Sequence, residues 1–199
     1  MANFDVLARQ GKAIFLGYSQ AEMIRGFGLR ADGTYLYLNF CGEGYRVDRE
    51  TGEVLGPDGM PAGPAETLTV YDMLCGGGLD WGLAGSWCTT NMLPGCGQSS
   101  PDDVALNRPS ISKFEEHPER LRQACATLGG RPFPVGDVAW EFPVFDWFPA
   151  VFQFWQGDEE FPSSVRFLWD RNALRYLRYE TLYYVMGCVL KRLIRQMEA

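Results

Sequence analysis

Alternating apolar and polar residues in the first third of the chain predict a β-hairpin followed by a third short strand. Residues 34–40 alternate tyrosines with leucines, and residues 45–49 alternate again after a turn that contains two glycines. This period of two is typical of strands with one buried face. Residues 53–55 add a strand after a tight turn, so the segment is predicted to form an antiparallel meander.

A second hairpin is predicted by the aromatic-rich segment over residues 137–155 and by the apolar return strand over residues 165–169. We expect Pro143 and Pro149 to interrupt its first part, because proline cannot donate a hydrogen bond to a neighbouring strand. So many aromatic side chains require burial, and the hairpin is therefore predicted to lie in the core.

Apolar residues spaced three and four positions apart predict helices in the remaining segments, since that spacing places them on one helical face. Ser19 and Glu22 are spaced as a capping box. Thr67 and Asp170 are the predicted caps of two later helices, and Pro118 suits a first helical turn. The predicted helices are a short one within the first ten residues and those over residues 19–26, 67–74, 112–128 and 170–196.

These elements predict an α+β fold in which antiparallel hairpins pack against helices. The long C-terminal helix is expected to cover the aromatic hairpin. A chain of 199 residues has the usual length of one domain, and we expect a single domain over residues 1–199. With 46% hydrophobic residues, such a chain can bury a core without a metal or disulfide staple.

The charge balance disfavours two classes of partner. Lys and Arg number 18 against 25 Asp and Glu, which makes the formal net charge −7 at pH 7. A negative chain repels phosphate backbones and anionic membrane surfaces, so we expect neither nucleic acid nor a membrane as partner. The sequence shows no N-terminal signal peptide and no apolar stretch of membrane-spanning length, and we expect a cytoplasmic protein.

The first candidate for chemistry is an acidic turn between two strands of the aromatic hairpin. Asp158, Glu159 and Glu160 lie there together, flanked by Trp155 and Phe161. Clustered carboxylates can hold Mg²⁺ or Ca²⁺, or divide into a general acid and a general base. The structural alternative is a hairpin turn in which Asp158 bonds its own backbone and the glutamates face solvent. Burial by the flanking aromatic residues would favour the functional interpretation, because burial perturbs carboxylate pKa values.

A second candidate is formed by arginines just after this hairpin. Arg171, Arg175 and Arg178 share one face of the predicted terminal helix by their spacing. Arginines near a helix N-terminus can hold an anion. The alternative is that these side chains pair with the acidic turn or stay in solvent.

The six cysteines offer a third possibility. Their scatter without a C-x-x-C pair, in an apolar chain with no export signal, argues against disulfides. Cys75, Cys88 and Cys96 could together hold a metal ion or an iron–sulfur cluster, whereas the alternative is that they serve as small buried side chains. His117 is the only histidine, and the chain has no G-x-S-x-G and no Walker A sequence. Ser-His-Asp hydrolysis and P-loop nucleotide binding are therefore disfavoured.

Several of these residues together resemble a known family. The run WQGDEEFP from Trp155 to Pro162 carries the resemblance, and the run FLWD that ends at Asp170 extends it. With Glu180 on the terminal helix, these runs resemble the domain-of-unknown-function family 3786. The first hairpin and Trp87 are compatible with the same family, so the resemblance extends over most of the chain.

The resemblance implies no established activity. It implies a setting in anaerobic bacteria and archaea, where some members are fused to a cysteine-rich iron–sulfur segment in corrinoid and one-carbon metabolism. These 199 residues lack such a segment, so a cluster would have to come from a partner.

Three functions are therefore considered. The first is a non-catalytic binding or accessory domain for a small molecule or a protein partner, linked to anaerobic one-carbon, corrinoid or iron–sulfur metabolism. The second is a metal-assisted enzyme that uses the carboxylates of the acidic turn, and the third is a thiol-ligated metal or cluster protein. The candidate ligand-binding residues are Trp155, Asp158, Glu159, Glu160, Arg171, Arg175 and Glu180, and the candidate metal ligands are Cys75, Cys88 and Cys96.

Overall fold

The computed structural model describes residues 2–76, 82–96 and 103–199, in which six helices and nine strands are found. The helices are α1 (Ala2–Gly17), α2 (Gln20–Phe27), α3 (Pro64–Cys75), α4 (Asp103–Glu116), α5 (Pro118–Thr127) and α6 (Tyr179–Glu198). The strands are β1 (Arg30–Ala31), β2 (Tyr35–Phe40), β3 (Glu43–Asp48), β4 (Val54–Leu55), β5 (Trp87–Thr89), β6 (Arg131–Pro132), β7 (Val138–Phe145), β8 (Phe148–Trp155) and β9 (Ser164–Asp170). Short 3₁₀ turns lie at Thr90–Met92 and Ala173–Arg175.

The nine strands in the described residues form one antiparallel sheet, which confirms the α+β prediction. Its order is β4–β3–β2–β7–β8–β9–β5, with β1 paired to β2 and β6 paired to β7. Strand β5 pairs with β9 at one edge of the sheet, whereas β1 to β4 and β6 to β9 each pair with the strands that precede or follow them in the chain, as hairpins require. The meander and the aromatic hairpin are therefore both present, and they meet where β2 pairs with β7.

Contrary to the prediction, Pro143 and Pro149 do not interrupt the aromatic hairpin. Strands β7 and β8 run through them, and the two prolines face each other in the register. Among the strand pairs of the described residues, Pro143 is not paired with β2 or β6, and Pro149 is not paired with β9. The missing N–H group of each proline therefore leaves no carbonyl oxygen of those strands without a donor. A register shift follows between Pro143 and Phe145.

The helix starts show which caps the sequence predicted correctly. Helix α2 is capped as expected, since the Ser19 hydroxyl accepts a hydrogen bond from the backbone N–H of Glu22. Helix α3 begins before Thr67, the predicted cap. Its first turn is closed instead by Glu66, whose carboxylate accepts the backbone N–H of Gly63 at 2.9 Å. The acidic side chain thus replaces the hydroxyl as the capping group.

The predicted helix over residues 112–128 consists of two helices, α4 and α5, separated at His117. Pro118 is the first residue of α5, as expected, because the first helical turn leaves its N–H groups without intrahelical partners. Helix α4 begins well before the predicted start, at Asp103.

The terminal helix begins at Tyr179 and not at Asp170. Asp170 is the last residue of β9, and its carboxylate accepts the backbone N–H groups of Ala84, Gly85 and Asn172, each at 2.8 Å. The carboxylate oxygens of Asp170 therefore accept hydrogen bonds from a loop that is distant in sequence, and do not cap a helix. None of the helices that the structure describes, α6 included, is long and apolar enough to cross a membrane.

One hydrophobic cluster connects the inner face of the sheet with the helices. Helix α4 packs on β9 and α5 on β7, whereas α6 packs mainly against α3 and α5. The cover over the aromatic hairpin, predicted for the terminal helix, is thus shared by the two preceding helices. The continuity of this cluster leads us to propose that the described residues fold as one domain.

A buried arginine of α6 joins the helical layer to the first hairpin. Arg192 is 3% exposed, and its guanidinium donates to the carbonyl oxygens of Phe40 and Cys41. It also donates to the Tyr45 hydroxyl at 2.8 Å, and its Nε lies 3.1 Å from a carboxylate oxygen of Glu43. These bonds hold the turn between β2 and β3, where Cys41 has a φ of 48° in the left-handed region.

Alkaline pH is expected to destabilise the protein through its buried thiols. Burial raises the pKa of the Cys188 thiol from 9.0 to about 11. The folded state therefore favours the neutral thiol, so this contribution to stability is complete below pH 9.0 and is lost as the pH rises to about 11. Linkage sets its size at about 3 kcal/mol. Urea unfolding across this range should show the fall in the free energy of unfolding.

The variant Cys188→Ala is the control for this prediction. Its free energy of unfolding should fall less steeply over the same pH range, because the titrating thiol is gone. Burial also raises the pKa values of Cys41, Cys75, Cys125 and Tyr71, so a smaller fall remains in this variant. An equal slope in both proteins would contradict the assignment to Cys188.

Candidate functional site

The acidic turn of the aromatic hairpin lies in solvent. Asp158, Glu159 and Glu160 are all exposed, and Phe161 is 68% exposed, so it does not bury them. Asp158 Oδ1 accepts the backbone N–H groups of Phe161 at 2.8 Å and of Glu160 at 2.9 Å. These two bonds lower the pKa of Asp158. The geometry is that of the structural alternative, a turn closed by its own aspartate.

The beginning of this turn is tightly built. The backbone N–H of Gly157 donates to the Ser163 hydroxyl at 2.6 Å, and a Cβ at Gly157 would lie 2.6 Å from the Ser163 backbone nitrogen. Only glycine fits there without movement of the backbone. Trp155, just before the turn, is half-buried, and its buried indole N–H has no hydrogen-bond partner in the described part of the chain.

The arginines do not share a helical face, because the terminal helix begins after them. Arg171 follows β9, Arg175 ends a 3₁₀ turn, and both are exposed. Arg178 precedes α6 and donates from its backbone N–H and its Nε to the buried carboxylate of Asp72, each at 2.7 Å. Glu180 is exposed in the first turn of α6. A ligand-binding role for Arg171, Arg175 and Glu180 stays a prediction.

The six cysteines all lie among the described residues and are free thiols. Cys75, Cys88 and Cys96 are half-buried, and burial raises the pKa of each, to about 12 for Cys75. A raised pKa disfavours the thiolate, which is the form that binds metals. Within residues 2–76, 82–96 and 103–199, no group of three or more His, Cys, Asp or Glu residues is placed to hold a metal ion.

The structure opens a groove where the sheet divides. Strands β2 and β7 share a single register pair, Phe40 with Phe145, and part beyond it. Asn39 spans the gap, since its Nδ2 donates to the two carboxylate oxygens of Asp146 at 3.0 and 3.2 Å. Beside this link lies a cavity of about 440 Å³, within the size range of small-molecule sites. We call it the seam groove; its lining includes Phe27, Arg30, Tyr37, Asn39, Arg46 and Trp147.

Two arginines flank a tyrosine on the wall of the seam groove. Tyr37 pairs with Arg30 of β1 on one side and with Arg46 of β3 on the other, so the three side chains leave the same face of the sheet. The guanidinium carbon of Arg30 lies 4.0 Å from the centroid of the Tyr37 ring, and that of Arg46 lies 5.1 Å from the centroid of the Tyr35 ring. Such contacts orient a guanidinium without using its N–H donors.

Both guanidiniums keep donors for a ligand. Among the described residues, neither Arg30 nor Arg46 takes part in a salt bridge, and the buried Nε of Arg46 has no hydrogen-bond partner. Asp32, next to Arg30 in this hairpin, is already engaged by the Tyr37 hydroxyl at 2.7 Å and by two backbone N–H groups. These bonds, with the hydroxyl as the largest cause, lower the pKa of Asp32 to about 2. The charged residues that line the groove are Arg30, Arg46 and Asp146, and Asp32 lies close enough to Arg30 to interact with its charge.

A glycine keeps the seam groove open beside these arginines. Gly44 faces Asn39 in the register of β2 and β3 and also lines the groove. A Cβ at Gly44 would meet no atom within 4 Å. A larger side chain at this position would therefore extend into the open space of the groove, and its Cβ atom would not clash with any neighbour.

An aromatic wall closes the other side of the seam groove. Trp147, in the turn between β7 and β8, is half-buried and stacks on Phe27 with ring centroids 4.8 Å apart. It also stacks on Phe145 at 5.5 Å, and its indole N–H donates to the sulfur of Met73 at 3.4 Å. The ring is therefore held in place before any ligand arrives.

The sequence analysis did not identify the seam groove, although part of its signal was present. Tyr37 and Arg46 both lie in strands that the sequence predicted, and an aromatic residue opposite an arginine in a hairpin is a usable signal. Trp147 lies about a hundred residues further along the chain. No local pattern indicates that it contacts the same groove.

Comparison with protein families identifies a family for this chain. A family model described as Domain of unknown function (DUF3786) matches residues 20–192. This range begins with α2 and ends within α6, so it includes both the seam groove and the acidic turn. No curated protein and no solved structure matches the chain.

Proposed function

We propose that this chain, which belongs to the family described as Domain of unknown function (DUF3786), is a binding domain that holds a small anionic ligand in the seam groove. One observation carries the proposal: Arg30 and Arg46 flank Tyr37 in register on the groove wall, and neither forms a salt bridge among the described residues. Guanidiniums oriented on aromatic rings suit carboxylate or phosphate oxygens, which accept charge-assisted hydrogen bonds.

Binding is favoured over the metal-assisted alternative by the geometry of the two candidate sites. In the acidic turn, one oxygen of Asp158 already accepts two backbone N–H groups. Among the described residues, Glu159 and Glu160 belong to no group of three or more His, Cys, Asp or Glu residues that could hold a metal ion. In the seam groove, the guanidiniums of Arg30 and Arg46 are oriented on aromatic rings, and in the described part of the chain neither is in a salt bridge. Trp155, the acidic turn, Arg171, Arg175 and Glu180 remain predicted ligand contacts outside the groove.

The biological setting rests on the resemblance and not on the groove. We propose from the resemblance that the ligand belongs to anaerobic one-carbon, corrinoid or iron–sulfur metabolism, and from the composition that the domain works in the cytoplasm. A protein partner that supplies an iron–sulfur cluster is compatible with a domain that itself only binds an anion.

Inorganic phosphate is the probe that tests anion binding. We expect the protein to bind it with a Kd in the millimolar range, measured by isothermal titration calorimetry. Arg46→Gln should weaken binding about tenfold or more, because a hydrogen bond to a charged group contributes about 1.5–3 kcal/mol. Gly44→Phe should abolish binding, since the ring occupies the groove.

The matched control is Arg166→Gln, which removes an exposed arginine from β9 at a distance from the groove. Phosphate binding and the midpoint of thermal unfolding should both be unchanged in this variant. The proposal fails if the unsubstituted protein binds no phosphate, or if Arg166→Gln weakens binding as much as Arg46→Gln does.

A further inference from the structure

We infer that the ligand of the seam groove is a small anion that carries an apolar arm, and that the arm lies in a second cleft beside the groove. The inference rests on the proposed function, since it assigns the chemical class of the ligand whose anionic group contacts Arg30 and Arg46. It commits to a free molecule, because the seam groove has the dimensions of a small-molecule site and the second cleft is a smaller space beside it.

The second cleft is apolar and has a volume of about 200 Å³. None of its described lining residues is charged. Its two polar side-chain groups are both engaged: the Tyr176 hydroxyl accepts the backbone N–H of Gly82 at 2.7 Å, and the Trp147 indole N–H donates to the sulfur of Met73. The cleft therefore offers apolar surface without an unmet hydrogen bond, which suits a hydrocarbon or aryl group. Its large lining side chains are Phe27, Leu83, Trp147, Phe148 and Tyr176.

The two cavities adjoin at one aromatic pair. Phe27 and Trp147 line both of them, and their rings stack with centroids 4.8 Å apart. A ligand whose anionic end contacts Arg30 and Arg46 can therefore extend along this pair into the second cleft. Such a ligand would have its charge at the arginine end and its apolar part at the other.

A leucine at the rim of the second cleft is held in an exposed position. Leu83 is 43% exposed and lines the second cleft. The backbone is fixed on both sides of it, since Gly82 donates to Tyr176 and Ala84 donates to the buried carboxylate of Asp170 at 2.8 Å. Because its backbone is already fixed, the Leu83 side chain can be buried by an apolar part of a ligand with little further loss of conformational freedom.

A series of alkyl phosphates tests this inference. Methyl, butyl and hexyl phosphate are titrated into the protein, and their dissociation constants are compared. Each methylene that enters the second cleft should tighten binding about fourfold. Hexyl phosphate should therefore bind at least about tenfold more tightly than methyl phosphate, while Arg46→Gln weakens the binding of all three alike.

The variant Leu83→Asp separates the arm from the anionic group. It should remove most of the gain from the hexyl chain and leave the binding of methyl phosphate unchanged, since Leu83 is not among the residues lining the seam groove. Val135→Asp is the matched control, because Val135 is 50% exposed and lines neither cavity. It should leave the whole series unchanged.

The outcomes distinguish the two proposals. Methyl phosphate binding with no gain along the series overturns this inference and leaves the proposed function standing. If the unsubstituted protein does not bind methyl phosphate, both this inference and the proposed function are overturned. A gain that persists in Leu83→Asp overturns the assignment to the second cleft. Sedimentation of the protein with phosphatidylglycerol vesicles, lost in Leu83→Asp, would assign the cleft to a lipid surface and overturn the free ligand.

Discussion

Replacement of Arg192 by alanine should destabilise the protein by about 3–5 kcal/mol, the cost of breaking a buried ion pair by removing one partner. The variant leaves the carbonyl oxygens of Phe40 and Cys41 and the hydroxyl of Tyr45 without their donor. It also leaves the carboxylate of Glu43 without its closest buried partner. The midpoint of urea unfolding at pH 7 measures the loss.

Arg195→Ala is the matched control for this prediction. Arg195 pairs with the same carboxylate of Glu43, but its side chain is 55% exposed. An exposed pair contributes at most about 1 kcal/mol, so this variant should unfold close to the unsubstituted protein. Arg192→Lys should fall between the two, because lysine keeps the charge and lacks the planar fork. Equal losses for Arg192→Ala and Arg195→Ala would show that burial of the guanidinium is not what stabilises the turn.

Phe167→Ala is expected to have the second large effect, a loss of about 3–5 kcal/mol in the free energy of unfolding. Phe167 is fully buried in β9, with its ring centroid 5.7 Å from that of Phe152 and 6.1 Å from that of Trp169. Its removal takes a large apolar side chain from the core and leaves a cavity that the surrounding rings can fill only in part. Chemical denaturation measures the change.

Phe161→Ala removes the same side chain from an exposed position in the same hairpin. Phe161 is 68% exposed, so its replacement should change stability by no more than about 0.5 kcal/mol. Trp155→Ala should cost less than Phe167→Ala, because Trp155 is half-buried and its indole N–H is unpaired among the described residues. A neutral Phe167→Ala variant would contradict the position of this hairpin in the core.

The first hairpin illustrates how far local pattern leads. Leu36, Leu38 and Phe40 are buried, whereas Tyr37 and Asn39 between them face outward. Alternation of this kind records which face of a strand is buried, and consecutive residues suffice to show it. The aromatic hairpin was located differently, by a density of aromatic residues that requires burial. Both signals are local, and for this reason both hairpins and the fold class were predictable.

The helix ends illustrate where local pattern fails. Asp170 has the chemistry of a helix cap, yet its carboxylate binds the backbone of a loop more than eighty residues earlier. The prolines Pro143 and Pro149 have the chemistry of strand breakers, yet each faces the other, where no further strand needs their N–H groups. In both cases the outcome depended on a partner that is distant in sequence.

By itself, the sequence determined the strands of the meander and of the aromatic hairpin, most of the helices, the α+β class, and the resemblance to a family that the match over residues 20–192 then confirmed. Only the tertiary structure decided that β2 and β7 meet at one pair, Phe40 with Phe145, and that the sheet opens beside it. Strand order is not encoded in periodicity, because the same alternation is compatible with many sheet neighbours. The groove that joins Arg30 and Arg46 to Trp147 exists because of that order.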